Sequence, residues 1–391
     1  LSSIRDGALH VRDGWGEATF GTASGGAVEL HVADPRTYTA LAASGTLGAA
    51  SAYLNGWWEC DDLVALFRLL TRNAPAMASL DQGIASWLTR AQAWLHRRRR
   101  NTLPGSRRNI HAHYDLGDDF FSLFLDETMA YSSGVFPRPA ATLAEASVEK
   151  FERMCRLLRL TPSDHVLEIG TGWGGFALHA ARHYGCRVTT TTISRNQHAF
   201  ALRRVREAGL DERVRVLCED YRELRGVYDK IVSIEMIEAV GHEFLDVFFR
   251  QCSALLRPGG TMALQTITLP DARYDAYRRS VDFIQKYIFP GGCIPSLGAL
   301  AAAIGRASDL RVTRLHDFGL HYAETLRHWR LRFWDNIEAV RALGYDERFI
   351  RMWHYYLCYC EAGFLDKQIG LAQILLEKPE TQSEDAPCAC S

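Results

Sequence analysis

The rhythm of apolar and polar positions changes at Val166. From there, short apolar runs alternate with amphipathic stretches: VLEIG (166–170), CRVTTTTIS (186–194), VRVLCED (214–220), DKIVSIEM (229–236) and GGTMALQTI (259–267) read as strands, and GFALHAARHY and HAFALRRVREAG as helices between them. Apolar strands separated by helices predict a parallel sheet covered on both faces. Residues 1–95 carry no nucleotide-binding signature. Within them AVELHV alternates as a strand and DDLVALFRLL has helical spacing, which predicts a small α+β domain. Ahead of that helix, Gly56-Trp57-Trp58 sets two aromatics beside a turn, a pair read as core, and Asp61-Asp62 can cap the helix. Residues 96–108, broken by Pro104-Gly105, read as a basic linker. A second domain over 109–380 and a polar tail over 381–391, expected to be unstructured, complete the chain.

Length and composition agree with two cores, since 391 residues exceed the roughly 300 at which a single hydrophobic core stops growing. Apolar content of 47% with 23% charged residues is ordinary for a globular protein, and no apolar run reaches the roughly 18 residues a membrane span needs. The net charge of −1 hides one basic cluster, His96–Arg100 followed by Arg107-Arg108. Such a cluster is either a solvated helix end or a contact for an anionic lipid surface or nucleic acid. The ten cysteines are scattered, with no metal-ligand spacing, and no signal peptide is read at Leu1 onward; together these point to a reducing cytoplasm. Cys388 and Cys390 lie in the polar tail.

The stretch VLEIGTGWGG, 166–175, runs a strand into a glycine turn that opens a helix. Gly170, Gly172 and Gly174 permit the tight turn and a close ligand approach, and the helix N-terminus offers unpaired N–H groups. By itself this turn suits NAD, FAD or S-adenosylmethionine. The acid, Glu168, precedes the first glycine, whereas a dinucleotide fingerprint places one some twenty residues later. Thr192-Ile193-Ser194 and then Gln197 stand where that acid would be, and Glu219-Asp220-Tyr221 suits an adenine amino group and ring face. S-adenosylmethionine is therefore the expected cofactor.

HYDLGDDFFSLFLD, VLEIGTGWGG, TISRNQ, EMIEAVGHE, RRSVDFIQKYIFPGGCIPS, HYAETLRHW and MWHYYLCYCEAGF occur in this order. With them the chain resembles the cyclopropane fatty acid synthases over Asn109–Lys378, and GWWECDDL extends the likeness to the lipid-associated N-terminal domain of the long bacterial members. The resemblance implies a Rossmann-like class I methyltransferase, a doubly wound α/β sheet with a helical lid, that adds a methylene across the double bond of an unsaturated phospholipid acyl chain. It implies that residues 109–136 form the lid, with Tyr131 and Ser132 at the methionine part of the cofactor. Gly170, Gly172, Trp173, Thr192, Ile193 and Gln197 would hold the cofactor, with Glu219, Asp220 and Tyr221 near adenine. It also implies a homodimer acting in the cytoplasm, peripheral to the inner membrane surface, docked through the N-terminal domain and basic linker.

The chemistry explains why the lid is aromatic. Attack of an alkene on a sulfonium methyl leaves a carbocation, which needs a dry chamber walled by π-faces. Tyr114, Phe120, Phe121, Phe283, Tyr287 and Phe289 are candidates for that wall, and each is also an ordinary core residue by type. In the family, a bicarbonate ion removes the methyl proton, held by a glutamate, a tyrosine, a histidine, a cysteine and a backbone group at an isoleucine. Glu238, Tyr322 and Ile267 match; Ser133 replaces the cysteine and Gln265 the histidine. Ser147 also departs from the family's glutamine.

A serine and a glutamine can still donate to an anion, but glutamine cannot carry a proton. Two outcomes follow from one first step. The cation loses a methyl proton and closes a cyclopropane, the expected result, or it loses a neighbouring chain proton and leaves a methyl-branched or methylene-bearing alkene. A non-catalytic lipid- or cofactor-binding homologue is the alternative of another class. A nucleic-acid partner is disfavoured by the neutral charge and the lack of a base-reading module.

Overall fold

The computed structural model describes residues 4–22, 27–73, 105 and 116–380. The basic stretch His96–Arg100 with Arg107-Arg108, residues 109–115 with Tyr114, and the tail with Cys388 and Cys390 lie outside them. The chain packs as two compact units, each drawn from several segments.

One unit comprises Leu1–Glu127, Ala272–Cys293 and Phe318–Gly370. Its sheet holds β1 (Ala8–Asp13), β2 (Gly16–Gly21), β3 (Ala27–Val32) and β4 (Trp58–Cys60) in the order β2-β1-β3-β4. AVELHV is β3, as its alternation predicts. The helix Leu63–Arg72 follows with Asp62 as its cap, the carboxylate accepting from the Ala65 N–H at 2.9 Å. Trp58 is core: it is buried, with Nε1 donating to the Ala49 carbonyl at 2.8 Å.

The helices Leu320–Asp335 and Glu347–Leu365 also belong to this unit, although the sequence reading counts them with residues 109–380. Tyr355 meets Phe67 at 4.8 Å and Tyr53 at 5.5 Å, and Arg351 donates to the Tyr53 and Trp58 carbonyls. The N-terminal sheet thus shares its core with residues three hundred positions downstream. The short helix Asp118–Ser122 drives Phe120 and Phe121 into the same interior. Phe120 lies 4.9 Å from both Tyr345 and Trp353 and 5.2 Å from Phe349, fully buried. Phe283 packs at 4.4 Å on Tyr355 and 5.2 Å from Tyr287, and Phe289 at 6.3 Å on Tyr356.

The other unit comprises Thr128–Asp271, Ile294–Asp317 and Leu371–Ser391. Its strands are β5 (His165–Ile169), β6 (Arg187–Thr191), β7 (Val214–Leu217), β8 (Tyr228–Ile234), β9 (Leu256–Thr268), β10 (Arg311–Asp317) and β11 (Gly370–Glu377), ordered β10-β11-β9-β8-β5-β6-β7. The pairs β5/β6, β5/β8, β6/β7 and β8/β9 are parallel. Both faces are covered: Leu167, Ile169 and Ile231 enter one core, Val166, Val188 and Val232 the other, which is why these strands read as continuous apolar runs.

The expectation of a parallel sheet needs one correction, because β10 pairs antiparallel with β11. All of β10 is exposed, so RVTRLHD has no buried alternation to reveal a strand. On the flank, the helix Leu143–Leu158 starts with a full capping box between Thr142 and Glu145, of a kind worth about 1 kcal/mol. It buries Leu143, Ala146, Ser147, Lys150, Phe151, Met154, Cys155 and Leu158 along one stripe. Among the described residues, no helix is long and apolar enough to cross a membrane.

Candidate active site

Strand order reverses where β5 leaves β6 on one side and β8 on the other, and in doubly wound sheets ligands bind outside the carboxyl ends of strands at that point. The glycine turn begins there. Gly170, Gly172 and Gly174 have φ of +106°, +51° and +87°, as a turn of this tightness requires. The Gly170 and Thr171 N–H groups both donate to the Thr191 carbonyl at 3.0 Å, pinning the turn to β6. The helix Gly175–Tyr184 follows with no side-chain cap, leaving its first N–H groups to a ligand.

Below the turn, Glu168 is buried and lies 2.6 Å from Thr190 Oγ1, which is 2.7 Å from Thr171 Oγ1. Burial pushes the Glu168 carboxyl up to about 8, against the opposing pulls of the Thr190 hydrogen bond and the Lys150 charge. Lys150 is itself fully buried and donates to Ser132 Oγ at 2.7 Å. Neither Lys150 nor Thr190 stands out in the sequence. Each sits in an unremarkable helix or strand pattern, and only the three-dimensional neighbourhood gives it a role.

TISRNQ folds as a helix start: Ser194 caps Arg195–Glu207, Thr192 Oγ1 donates to Gln197 Oε1 at 3.0 Å, and Ile193 is half-buried. Trp173 is buried in the turn, and Arg204 bridges its carbonyl at 3.1 Å to that of Thr128 at 2.9 Å, tying the segment that leads to half-buried Tyr131 to the glycine turn. Of the adenine candidates, Glu219 is exposed and its carbonyl accepts from Thr191 Oγ1 at 2.6 Å. Asp220 is clamped by Arg222 through two contacts of 2.8 and 2.7 Å, and Tyr221 enters the core 5.4 Å from Phe248. A Cβ on Gly172 would meet nothing within 4 Å, and one on Gly170 would touch only Met236. This open glycine cradle under a free helix start fits S-adenosylmethionine.

A second cluster lies beside the turn, at the ends of β8 and β9. Glu238 Oε1 accepts from the Ile267 N–H at 2.6 Å and Thr266 Oγ1 at 2.9 Å, while Oε2 is sealed without a hydrogen-bond partner among the described residues. Burial, and then the neighbouring Glu235 carboxylate, push Glu238 up to about 8. Gln265 is fully buried. Its Nε2 donates to Glu235 Oε1 at 2.7 Å and, at 3.4 Å, to the Ser133 carbonyl, and its Oε1 accepts from Gln373 Nε2 at 2.9 Å. The Ser133 N–H donates to Glu235 Oε1 at 2.9 Å, and its hydroxyl to the Gly134 carbonyl at 2.9 Å.

The expectation that Ser133 and Gln265 present donors to a bicarbonate ion is therefore not met. The N–H of Ile267, both donors of Ser133 and both amide hydrogens of Gln265 are already given to protein oxygens. These residues do not fit the ion. Tyr322 belongs to the other unit, where it is buried, stacked on Phe364 at 4.5 Å. Glu235 opens the EMIEAVGHE motif without an assigned role, and Gln373 carries no mark in the sequence that singles it out.

The profile of the mycolic acid cyclopropane synthetase family matches residues 102–374. The chain belongs to this family. It is 40% identical over 341 residues to the tuberculostearic acid methyltransferase UfaA1 of Mycobacterium tuberculosis, covering 84% of this chain and 78% of that protein. It is 35% identical over 358 residues to the cyclopropane-fatty-acyl-phospholipid synthase of Escherichia coli, 90% of this chain and 88% of that one. The mycolic acid cyclopropane synthase CmaA1, in complex with SAH and CTAB, superposes with a TM-score of 0.65 at 34% identity, over 70% of this chain and 98% of its own. The fold class, the class of enzyme and the S-adenosylmethionine dependence expected from the sequence are those of this family: fatty acyl C-methyltransferases and cyclopropane synthases.

Proposed function

We propose that this enzyme methylates the double bond of an unsaturated phospholipid acyl chain and releases a methyl-branched or methylene-bearing chain without closing a ring. The observation that carries this reading is the closed hydrogen-bond network around Gln265, at the position where the resemblance places a proton-carrying histidine. A glutamine amide takes up no proton, and this one has both hydrogens and its oxygen engaged. The 40% identity to a methyltransferase of tuberculostearic acid supports the same reading.

The glycine turn, the start of the helix Gly175–Tyr184, Thr192 and Gln197 hold S-adenosylmethionine. When bound, it supplies an electrophilic methyl carbon, and the alkene π pair becomes the new C–C bond as the S–C pair returns to sulfur. The chain's own residues then deal with the cation left on the acyl chain. The basic run His96–Arg108 and the N-terminal sheet unit are proposed to dock on an anionic membrane surface, as a homodimer.

Lipids from a host expressing the chain test this. Each modified acyl chain should gain the mass of one methylene and take up hydrogen on mild catalytic reduction. A product inert to hydrogen is a ring and rejects the proposal. Purified enzyme should release S-adenosylhomocysteine with unsaturated but not with fully saturated phospholipid; no release with either leaves the non-catalytic homologue.

A further inference from the structure

Glu235 opens the EMIEAVGHE motif, and the resemblance assigns it no role, yet the second cluster is organised around it. It directly follows β8, and its backbone sits at φ +50°, a conformation unfavourable for a long side chain and kept only where surroundings enforce it. Its neighbour Met236 is the residue a Cβ on Gly170 would touch, at 3.1 Å, so Glu235 stands one residue from the cofactor turn. Donors from two distant segments, Gln265 Nε2 and the Ser133 N–H, converge on its Oε1 at 2.7 and 2.9 Å. Gln373 fixes the sense of the first: by donating to Gln265 Oε1 it turns the amide NH2 toward Glu235.

Beside this anchored carboxylate lies Glu238, whose raised pKa keeps it a neutral acid near neutral pH and therefore no base. Glu238 is thus held toward its acid form by burial, while Glu235 carries the two donors aimed at its Oε1. The donors that would hold an external anion are spent, two of them on Glu235 itself.

We propose that Glu235 is the resident proton acceptor of this enzyme. This rests on the methyl-transfer reading above. After methyl transfer the Glu235 carboxylate takes the proton from a C–H bond beside the cationic carbon, and the C–H electron pair becomes the new double bond. The proton leaves Glu235 for water as product departs.

Glu235→Gln is the decisive variant, because an amide oxygen still accepts from Gln265 and Ser133 while the basicity and charge of the carboxylate are removed. Yield of the hydrogen-reducible methylated lipid should fall about 100-fold or more, the range for loss of a positioned general base, while the Kd for S-adenosylhomocysteine and the melting temperature stay at wild-type values. Glu235→Asp should recover part of the yield. Wild-type yield from Glu235→Gln overturns the proposal and leaves the functional reading standing, since that is judged on wild-type product alone. Equal losses in the Gln and Asp variants, with weakened binding or a lowered melting temperature, mean a structural role and overturn it too. A wild-type enzyme that makes only a ring, or nothing, removes the premise and the proposal with it.

Discussion

The glycine turn and the Glu235 network meet at Gly170 and Met236, yet they are made of different material. The turn is backbone: three left-handed glycines, one carbonyl acceptor on β6 and an uncapped helix start. The network is built on three side chains, Glu235 after β8, Gln265 on β9 and Gln373 on β11, joined by the backbone of Ser133, none near another in sequence. A backbone site tolerates most changes around it and almost none in its own residues. A side-chain site is the reverse: each member can be exchanged, but the exchange shifts what its partners can do. The position of the histidine, here Gln265, exemplifies this, because its amide now donates to Glu235.

Three substitutions sharpen that contrast. Gly170→Val forces a branched side chain into φ +106° against Met236. Strain on the order of 1–3 kcal/mol falling on ligand binding should raise the Kd for S-adenosylhomocysteine roughly 10- to 100-fold by calorimetry, with the fold retained. A Kd unchanged by this substitution contradicts the cradle.

Glu238→Gln acts through pH. The carboxyl moves from 4.5 to about 8 on folding, so the folded state keeps its proton where the unfolded state has lost it. Its stabilisation is complete below the unfolded value and is lost as pH rises to about 8, with a steepest slope of about 1.4 kcal/mol per pH unit. Denaturation of the Gln variant should therefore show a flatter decline across that window than wild type, with Glu168 supplying the part that remains. Parallel curves for the two proteins exclude a buried neutral Glu238.

The smallest effect is expected for Gln373→Leu, which leaves Gln265 Oε1 without its donor. Loss of about 1–3 kcal/mol in unfolding free energy follows from one orphaned buried acceptor. A stability equal to wild type would mean that the amide turns over and finds another partner.

How much of this could be read in the sequence follows the same division. The turn, the helix after it and the five central strands were legible because they depend on neighbours along the chain: glycines at fixed spacing, apolar runs between helices, an acid before the first glycine. Asp62 as a cap was legible for the same reason. The antiparallel pair β10/β11 was not, since exposed RVTRLHD carries no burial signal. Nor were Lys150 beneath Ser132 and Glu235 among its donors, because a polar residue in an amphipathic helix or at a strand end looks solvated until a distant segment covers it. Arg222 is a further partner that the sequence does not announce. Glu219-Asp220-Tyr221 reads as a ligand-facing triplet, but the next residue occupies the Asp220 carboxylate from within the chain.

Trp173 gives the glycine turn a second use. The chain has nine tryptophans, and of these Trp173 alone falls within the residue ranges of the cofactor unit. Its indole is buried at the turn's centre, so a protein stripped of the other eight would carry one natural fluorophore in the cradle, whose emission could follow ligand entry and the melting of that unit without any attached dye.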